Sequence, residues 1–576
     1  MPRRRTITVH WRACFACAAM LLYNSTHAGP VYQSEREDVA GNAIFAPQPT
    51  PVKPAATQEL RQSRARLARA YLNRIPSPHS TGGAKLVLNL FDAVVFNVEL
   101  ERSEVRSPQR FTWFGSIRGE PSSRVVLTVH DGIVAGNVFS PDHGLFRIGY
   151  AAPGVSRIEH VDEQREGQCN TTSITPAHKT APTPTGSSAF PHEDCDHDDG
   201  SVIDVLVVYT ANAATAAGGA SALNAKIQLD VDTMADVLVN SGVIFPTVRV
   251  IHTASTAYDE DGTRSEHRAR LTSPIDGVMD NAHTLRDDYG ADIVTLYYDQ
   301  QNSLCVGGDN DGEVCTDDGD CPDGTCDIQT GGGISWQLDA ESHSEESIAF
   351  NVVKWSETYT FAHEVGHLLG CGHDRDNFQL GALYDYSWGW RLIGPDAVCY
   401  GGASDGWDCT QDSDCFSACL NGDNMGDDCS DDSDCPGLDG TCRSTCFEWR
   451  TMMCYRPGSI IPHFSNPLIQ YQGVDTGVPE GDPQAADNAK TIINSKSIVA
   501  NFRASHYWVD FNTPPFLPQF GCEPTPFDML AEGINAAPIG GTVHIKAGFD
   551  ADPVTLSKRM RYEAEGGFVY LGGDGP

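Results

Sequence analysis

Residues 363–374 read HEVGHLLGCGHD, and this stretch restricts what the chain can fold into more tightly than any other. Two histidines four apart stand on one face of a helix, a turn separated, where they can share one ion. TYTFAHEVGHLLG (358–370) is predicted to be that helix, with Phe361, Val365, Leu368 and Leu369 as its core side. Gly370 can adopt the left-handed conformation that ends a helix, so the chain can turn and bring His373 back as a third ligand. Three neutral nitrogens and one position open to water form the pattern of a catalytic zinc site, whereas structural sites are closed by four protein ligands. Glu364, beside the first histidine, reaches a bound water rather than the metal. Zinc lowers the pKa of that water, and Glu364 can take its proton and pass it to the leaving amine of a cleaved peptide. A bare HExxH also suits ordinary helix histidines, but here the glycine and third histidine fall at fixed offsets too. The expected metal ligands are therefore His363, His367 and His373, with Glu364 as the catalytic base.

Cys371 raises a competing reading, a closed structural zinc site. It lies two residues before His373, a spacing at which two side chains on a tight turn rarely ligate together, so a disulfide is expected instead. The N-terminus explains why disulfides should form. MPRRR followed by the apolar ACFACAAMLL (13–22) and a small-residue site at Thr26-His27-Ala28 reads as a signal peptide over 1–28. No later run is long and apolar enough for a membrane anchor, so the chain is expected to be secreted. Of 19 cysteines, Cys14 and Cys17 leave with the signal, and the odd remainder leaves at least one thiol over.

The formal charge of −37 argues against nucleic acid or an anionic membrane as partner; protein or peptide substrates and a monomeric chain are expected. Nearly half of that charge sits in a repeat. CVGGDNDGEVCTDDGDCPDGTC (305–326), CYGGASDGWDCTQDSDCFSAC (399–419) and CLNGDNMGDDCSDDSDCPGLDGTC (419–442) share a C-x9-C-x5-C frame with a fourth cysteine shortly after. These Asp- and Gly-rich units contain almost no apolar residues, so cross-links must hold them. Their oxygen donors also suit calcium, although the full EF-hand spacing and its terminal glutamate are missing; solvated, disulfide-stapled loops are the default.

Around these inserts the pattern is regular. Short alternating runs from 81 to 160 suggest a small all-β domain within 29–170, and the Thr/Pro/Ser/Ala-rich 171–191 reads as a linker, set within 171–200. SVIDVLVVYT, PTVRVIHT and ADIVTLYY (291–298) are predicted strands. Ile227, Val231, Met234 and Leu238 define one face of a helix, and Ser273-Pro274 is predicted to start another ending near Gly290. Strands alternating with helices indicate an α/β domain over 201–506. Residues 507–576 are expected to form a short β-rich appendage.

The motif His363, Glu364, His367, Gly370 and His373 resembles the metzincin metalloproteases, whose signature is HExxHxxGxxH followed by a methionine turn. Asp374 resembles the adamalysin (reprolysin) branch, where that aspartate supports the turn. YTFAHEVGH, PHFSNP (462–467) and ADNAKTI (486–492) resemble a bacterial secreted branch that includes peptidyl-Asp metalloendopeptidases. The resemblance implies an α/β (α+β) metzincin catalytic domain with a mixed twisted sheet and an active-site helix, zinc as cofactor, and an endopeptidase made as a latent precursor whose propeptide is the β-rich region. It implies that Met453 in TMMCY (451–455) floors the metal site without ligating. Tyr455 would approach the metal or simply pack. Family geometry makes Cys454 the partner of Cys371. GGGISW (331–336) would be an edge strand that takes substrate by antiparallel strand addition, overhung by the inserts. Cys169 would be a prodomain thiolate ligand, against pairing with Cys195 or a free thiol. The sequence departs from the family in the long separation between His373 and Met453. The tail, with GGTVHIKAG and GGFVYLGG, resembles the opening coils of a right-handed parallel β-helix. A binding or adhesion protein on an inactivated protease scaffold is the alternative, which the intact Glu364 disfavours; a carbohydrate-active tail shows no paired catalytic carboxylates.

Overall fold

The computed structural model describes residues 43–46, 65–161, 195–299, 332–375, 382–394 and 446–572, apart from a few positions within these spans, and short pieces of 303–327 and 397–443. The expected signal peptide over 1–28, the expected linker over 171–191 and Cys169 lie outside the described residues.

The central domain is built on five strands: β1 (Val202–Tyr209), β2 (Thr247–Ser255), β3 (Ile293–Tyr298), β4 (Gly333–Ser335) and β5 (Phe350–Lys354). They lie in the order β2-β1-β3-β5-β4. The first three neighbouring pairs are parallel, and β4 closes the edge antiparallel to β5. β3 is buried at every position, as its continuous apolar run IVTLYY requires of a strand covered on both faces.

Helix α1 (Ala220–Asn240) crosses this sheet, and α2 (Thr360–Leu368) and α3 (Asn488–Val499) come later in the chain. Ile227, Val231, Met234 and Leu238 of α1 all enter the main core beside β1 and β3, as their helical spacing predicts. The predicted start at Ser273-Pro274 is not where a helix begins. Ser273 instead ends a helix spanning Arg264–Thr272, and the next runs Asn281–Tyr289 before Gly290 stops it in the left-handed conformation. Between them Gly277 and Met279 have φ of 81° and 59°, which a continuous helix cannot contain.

Before the central domain stands an eight-stranded antiparallel sheet from Ala65 to His160, the first strand pairing with the last. It has a core of its own around Leu88, Trp113, Leu127, Val138 and Ile148, and one face lies against α1. After the central domain, β6 (His506–Val509), β7 (Thr542–Asp550) and β8 (Arg561–Leu571) form a parallel sheet. A disulfide between Cys195 and Cys522 ties this appendage to the start of the central domain. That bond removes Cys195 as a partner for Cys169.

The inserts show the expected cross-links where they are described: Cys399–Cys415 and Cys429–Cys442 are bonded, and Cys315, Cys321 and Cys409 are also in disulfides. The second and third copies are not simply consecutive. Cys399 lies across from Cys446 on paired strands, and Cys419 across from Cys442, so the third copy is nested within the second. The aspartates on which the calcium expectation rests lie mostly outside the described residues. Among the described residues no helix is long and apolar enough to cross a membrane.

Candidate metal centre

Helix α2 presents His363 and His367 to one point, and Gly370, at φ 86°, turns the chain so that His373 returns to it. The three Nε2 atoms lie 3.1, 3.2 and 3.0 Å from one another. Zinc–nitrogen bonds of about 2.0–2.1 Å place tetrahedral ligand atoms a little over 3 Å apart, so the donor set fits one ion. Its chemistry fits too. Burial lowers His363 to about 4 and holds His367 and His373 well below the ordinary histidine value, with the neighbouring imidazoles pushing the latter two the same way. The rings are neutral, the state in which they ligate.

Backbone carbonyls choose the tautomers. Nδ1 of His363 donates to the Met452 carbonyl at 2.9 Å, and Nδ1 of His367 donates to the Cys371 carbonyl at 2.8 Å. In each ring this leaves the Nε2 lone pair facing the shared point, the usual role of an outer partner to a ligating histidine. Neither carbonyl is legible from residue type, because any residue at 371 or 452 would supply one.

Glu364 is fully buried against edge strand β4. A Cβ at Gly333 would lie 2.7 Å from its Oε1 and 2.6 Å from its Cγ, so the carboxylate fills the space the missing side chain leaves. The segment 451–455 passes beneath the histidines. A Cβ at Gly366 would meet the Met453 sulfur at 2.8 Å, which puts Met453 under α2, where the resemblance expects it. The Tyr455 ring packs 4.1 Å from that of His373. Asp374 accepts from the Tyr455 backbone N–H at 3.1 Å and pairs with Arg391 at 3.2 Å. It therefore joins the turn after His373 to the methionine segment, with Arg391 as a participant that residue patterns did not reveal.

One expectation is overturned. Cys371 and Cys454 are both buried and free, not bonded to each other. The Cys371 sulfur faces the Asn488 carbonyl at 3.7 Å, at the start of α3, while that of Cys454 faces the Thr451 hydroxyl at 3.6 Å. Each thiol has its own partner beneath the site. Burial raises both, Cys454 to about 12, so neither is a thiolate ligand at neutral pH.

A buried glutamate beside an antiparallel edge strand and three converging neutral imidazoles together form a candidate metal-binding site. Residues 199–465 match the Reprolysin_5 model of metallo-peptidase family M12. It is 27% identical over 307 residues to the peptidyl-Asp metalloendopeptidase of Stenotrophomonas maltophilia (strain R551-3), covering 52% of each chain. It is 26% identical over the same length to that of Xanthomonas campestris pv. campestris, with the same coverage. The chain thus spans about half the length of the curated relatives it matches. The solved metalloproteinase-II from Bacteroides fragilis has 13% sequence identity and a TM-score of 0.28, with 53% of this chain and 86% of that one covered.

Proposed function

We propose that this chain is a secreted zinc-dependent endopeptidase made as a latent precursor. The convergence of His363, His367 and His373 beside the buried carboxylate of Glu364 carries the reading. The three histidines would hold the ion, with the Met452 and Cys371 carbonyls keeping the Nε2 atoms of His363 and His367 aimed at it. When bound, zinc supplies a Lewis acid that polarises the peptide carbonyl and acidifies water. Glu364 would take a proton from water at the site and deliver it to the leaving amine. Its buried setting against Gly333 limits its freedom to move. The outer side of β4 is an unpaired sheet edge among the described strands, suited to an extended peptide adding antiparallel to it. The names of the matched relatives favour a bond beside an aspartate, so an acidic side chain is the first preference to test. The inserts precede β4 and the methionine segment, positions from which they would narrow access to the cleft; deletion of 399–446 should widen the cleavage profile.

Latency is assigned to the N-terminal region, with Cys169 as a candidate fourth ligand and a Cys169→Ser precursor as its test. A scaffold that binds without cutting is the second reading, and the intact Glu364 disfavours it. One experiment separates them. Wild type and Glu364→Ala are incubated with a denatured protein mixture and the new termini are read by mass spectrometry. The peptidase reading expects cleavage by wild type alone; equal cleavage by both overturns it.

A further inference from the structure

The parallel sheet of the C-terminal appendage brings a second set of metal-type donors together. His544 on β7 pairs in register with Glu563 on β8, and Glu565, two positions further on, stands on the same face of that strand. Nδ1 of His544 lies 3.0 Å from Oε1 of Glu565 and 3.5 Å from Oε2 of Glu563. The three donor atoms all fall within 4.8 Å of one another. Zinc bonds of about 2.0–2.2 Å to imidazole nitrogen and carboxylate oxygen put neighbouring ligand atoms a little over 3 Å apart, so Nδ1 already has that spacing to both carboxylates. The Glu565 side chain is 40% exposed and free to close on the same point. Arg561 holds the other oxygen of Glu563 at 2.6 Å, which leaves Oε2 turned to His544.

The His544 ring is held from behind. Trp508 on β6 stacks on it at 4.3 Å, and its Nε2 lies 2.8 Å from Nδ1 of His506, the two imidazole planes within 22° of each other. On the far side of His506, Nε2 faces the Asp198 carboxylate at 3.7 Å, which favours the proton on that nitrogen and makes Nδ1 the acceptor. His544 then donates from Nε2, and its Nδ1 lone pair points at two carboxylates. Three acceptors that converge in this way need a positive centre between them. A ligating histidine is oriented by the same device, its second nitrogen donating to an outer partner. We propose that His544, Glu563 and Glu565 bind a divalent ion of the zinc class, with His506 as the residue that positions His544. The imidazole donor selects zinc over calcium, which takes oxygen ligands. The ion bridges β7 to β8, whose other edge pairs with no strand among the described residues. The appendage has only a small core of its own, around Val509, Leu530 and Val543, and units of that kind gain most from a staple. This site stands apart from the peptidase reading and needs none of its residues.

The test uses the full chain carrying Glu364→Ala, to prevent self-cleavage, stripped by a chelator and then returned to zinc. Bound zinc per chain is measured by mass spectrometry after free ion is removed. Adding Glu563→Gln with Glu565→Gln, which keeps the shape of both side chains, should lower the content by one zinc. Glu532→Gln, outside the cluster, should leave it unchanged. Hydrogen exchange of β7 and β8 is followed in the same parent chain with and without zinc, so misfolding of the glutamine variant leaves the test intact. With zinc at about a hundred times its Kd, exchange there should slow by on the order of a hundredfold, and in the glutamine variant it should not slow. Equal zinc content in parent and glutamine variant, or exchange in β7 and β8 that ignores zinc, overturns the proposal. His367→Ala is measured alongside: it should lose the ion of the three-histidine site and keep the zinc response of β7 and β8, so failure at either site is read separately.

Discussion

The two faces of helix α1 are both buried, and by opposite means. Toward the central sheet it presents Leu223, Ile227, Met234, Val237 and Leu238, which join the main core. Toward the N-terminal sheet it presents two aspartates and a threonine bonded to arginines, hydroxyls and an amide. The first face can be stable only when covered. The second is covered mainly through ion pairs and hydrogen bonds, beside a small apolar cluster at Ala225 and Leu229. The N-terminal sheet also adds Phe139 and Leu145 to the main core.

Four measurements bear on this contrast, in descending order of expected effect. Met234→Ala on the inner face should cost about 2–5 kcal/mol of unfolding free energy in denaturant titration; on the outer face Thr233→Val, which removes the Asn137 bond, should cost only about 1 kcal/mol. Equal losses would erase the distinction. Gly333→Ala, whose new methyl would collide with Glu364, should lower kcat by about a hundredfold with zinc content unchanged. Parallel loss of zinc would show that the glycine supports the fold instead.

His463 sits on the outer side, where burial lowers it to about 4 and Arg124 of the N-terminal sheet pushes the same way. The unfolded chain takes that proton near pH 6.5, so the contribution to stability is present above about 6.5 and disappears as the pH falls toward 4. Its full size is at most about 3 kcal/mol. Melting temperatures between pH 7 and 4 should fall more steeply in wild type than in His463→Asn. The smallest effect concerns the two free thiols. Cys371→Ser and Cys454→Ser should each unfold close to the wild-type denaturant concentration, within about 1 kcal/mol, and peptide mapping of the wild type should find no link between them. A 371–454 cross-link in that map would reverse the correction.

The three-histidine cluster is the most legible part of the chain because its geometry is local. His363 and His367 share a helix face by spacing alone, and Gly370 and His373 lie within the next turn. The inner stripe of α1 was legible for the same reason. What supports the site was not. The carbonyls of Met452 and Cys371, the gap at Gly333 and the Asp374–Arg391 pair are contacts between distant segments, and a carbonyl leaves no mark in residue type. The outer stripe of α1 was hidden because Asp232 and Asp236 look solvated until the arginines of another sheet are placed over them. Cys371 and Cys454 misled because each sulfur turns to its own partner, the Asn488 carbonyl and the Thr451 hydroxyl, and a disulfide needs the two sulfurs to face each other. Cys195 and Cys522, separated by 327 positions, pair across the whole central domain, and no local pattern could join them. The start of the helix ending at Gly290 was placed too early because Ser273-Pro274 has the right chemistry for an N-terminus, while Gly277 and Met279 break the helix that would have begun there.

The catalytic reading depends on His363, His367 and His373 holding a zinc ion that peptide cleavage requires. Metal content and cleavage should therefore be measured on one preparation, before and after removal of the metal by a chelator and again after return of zinc. The expected result is about one catalytic zinc per chain, loss of cleavage with its removal, recovery on its return, and neither zinc nor cleavage at that site in His367→Ala. Cleavage that persists in the stripped protein, or in His367→Ala, would contradict that reading.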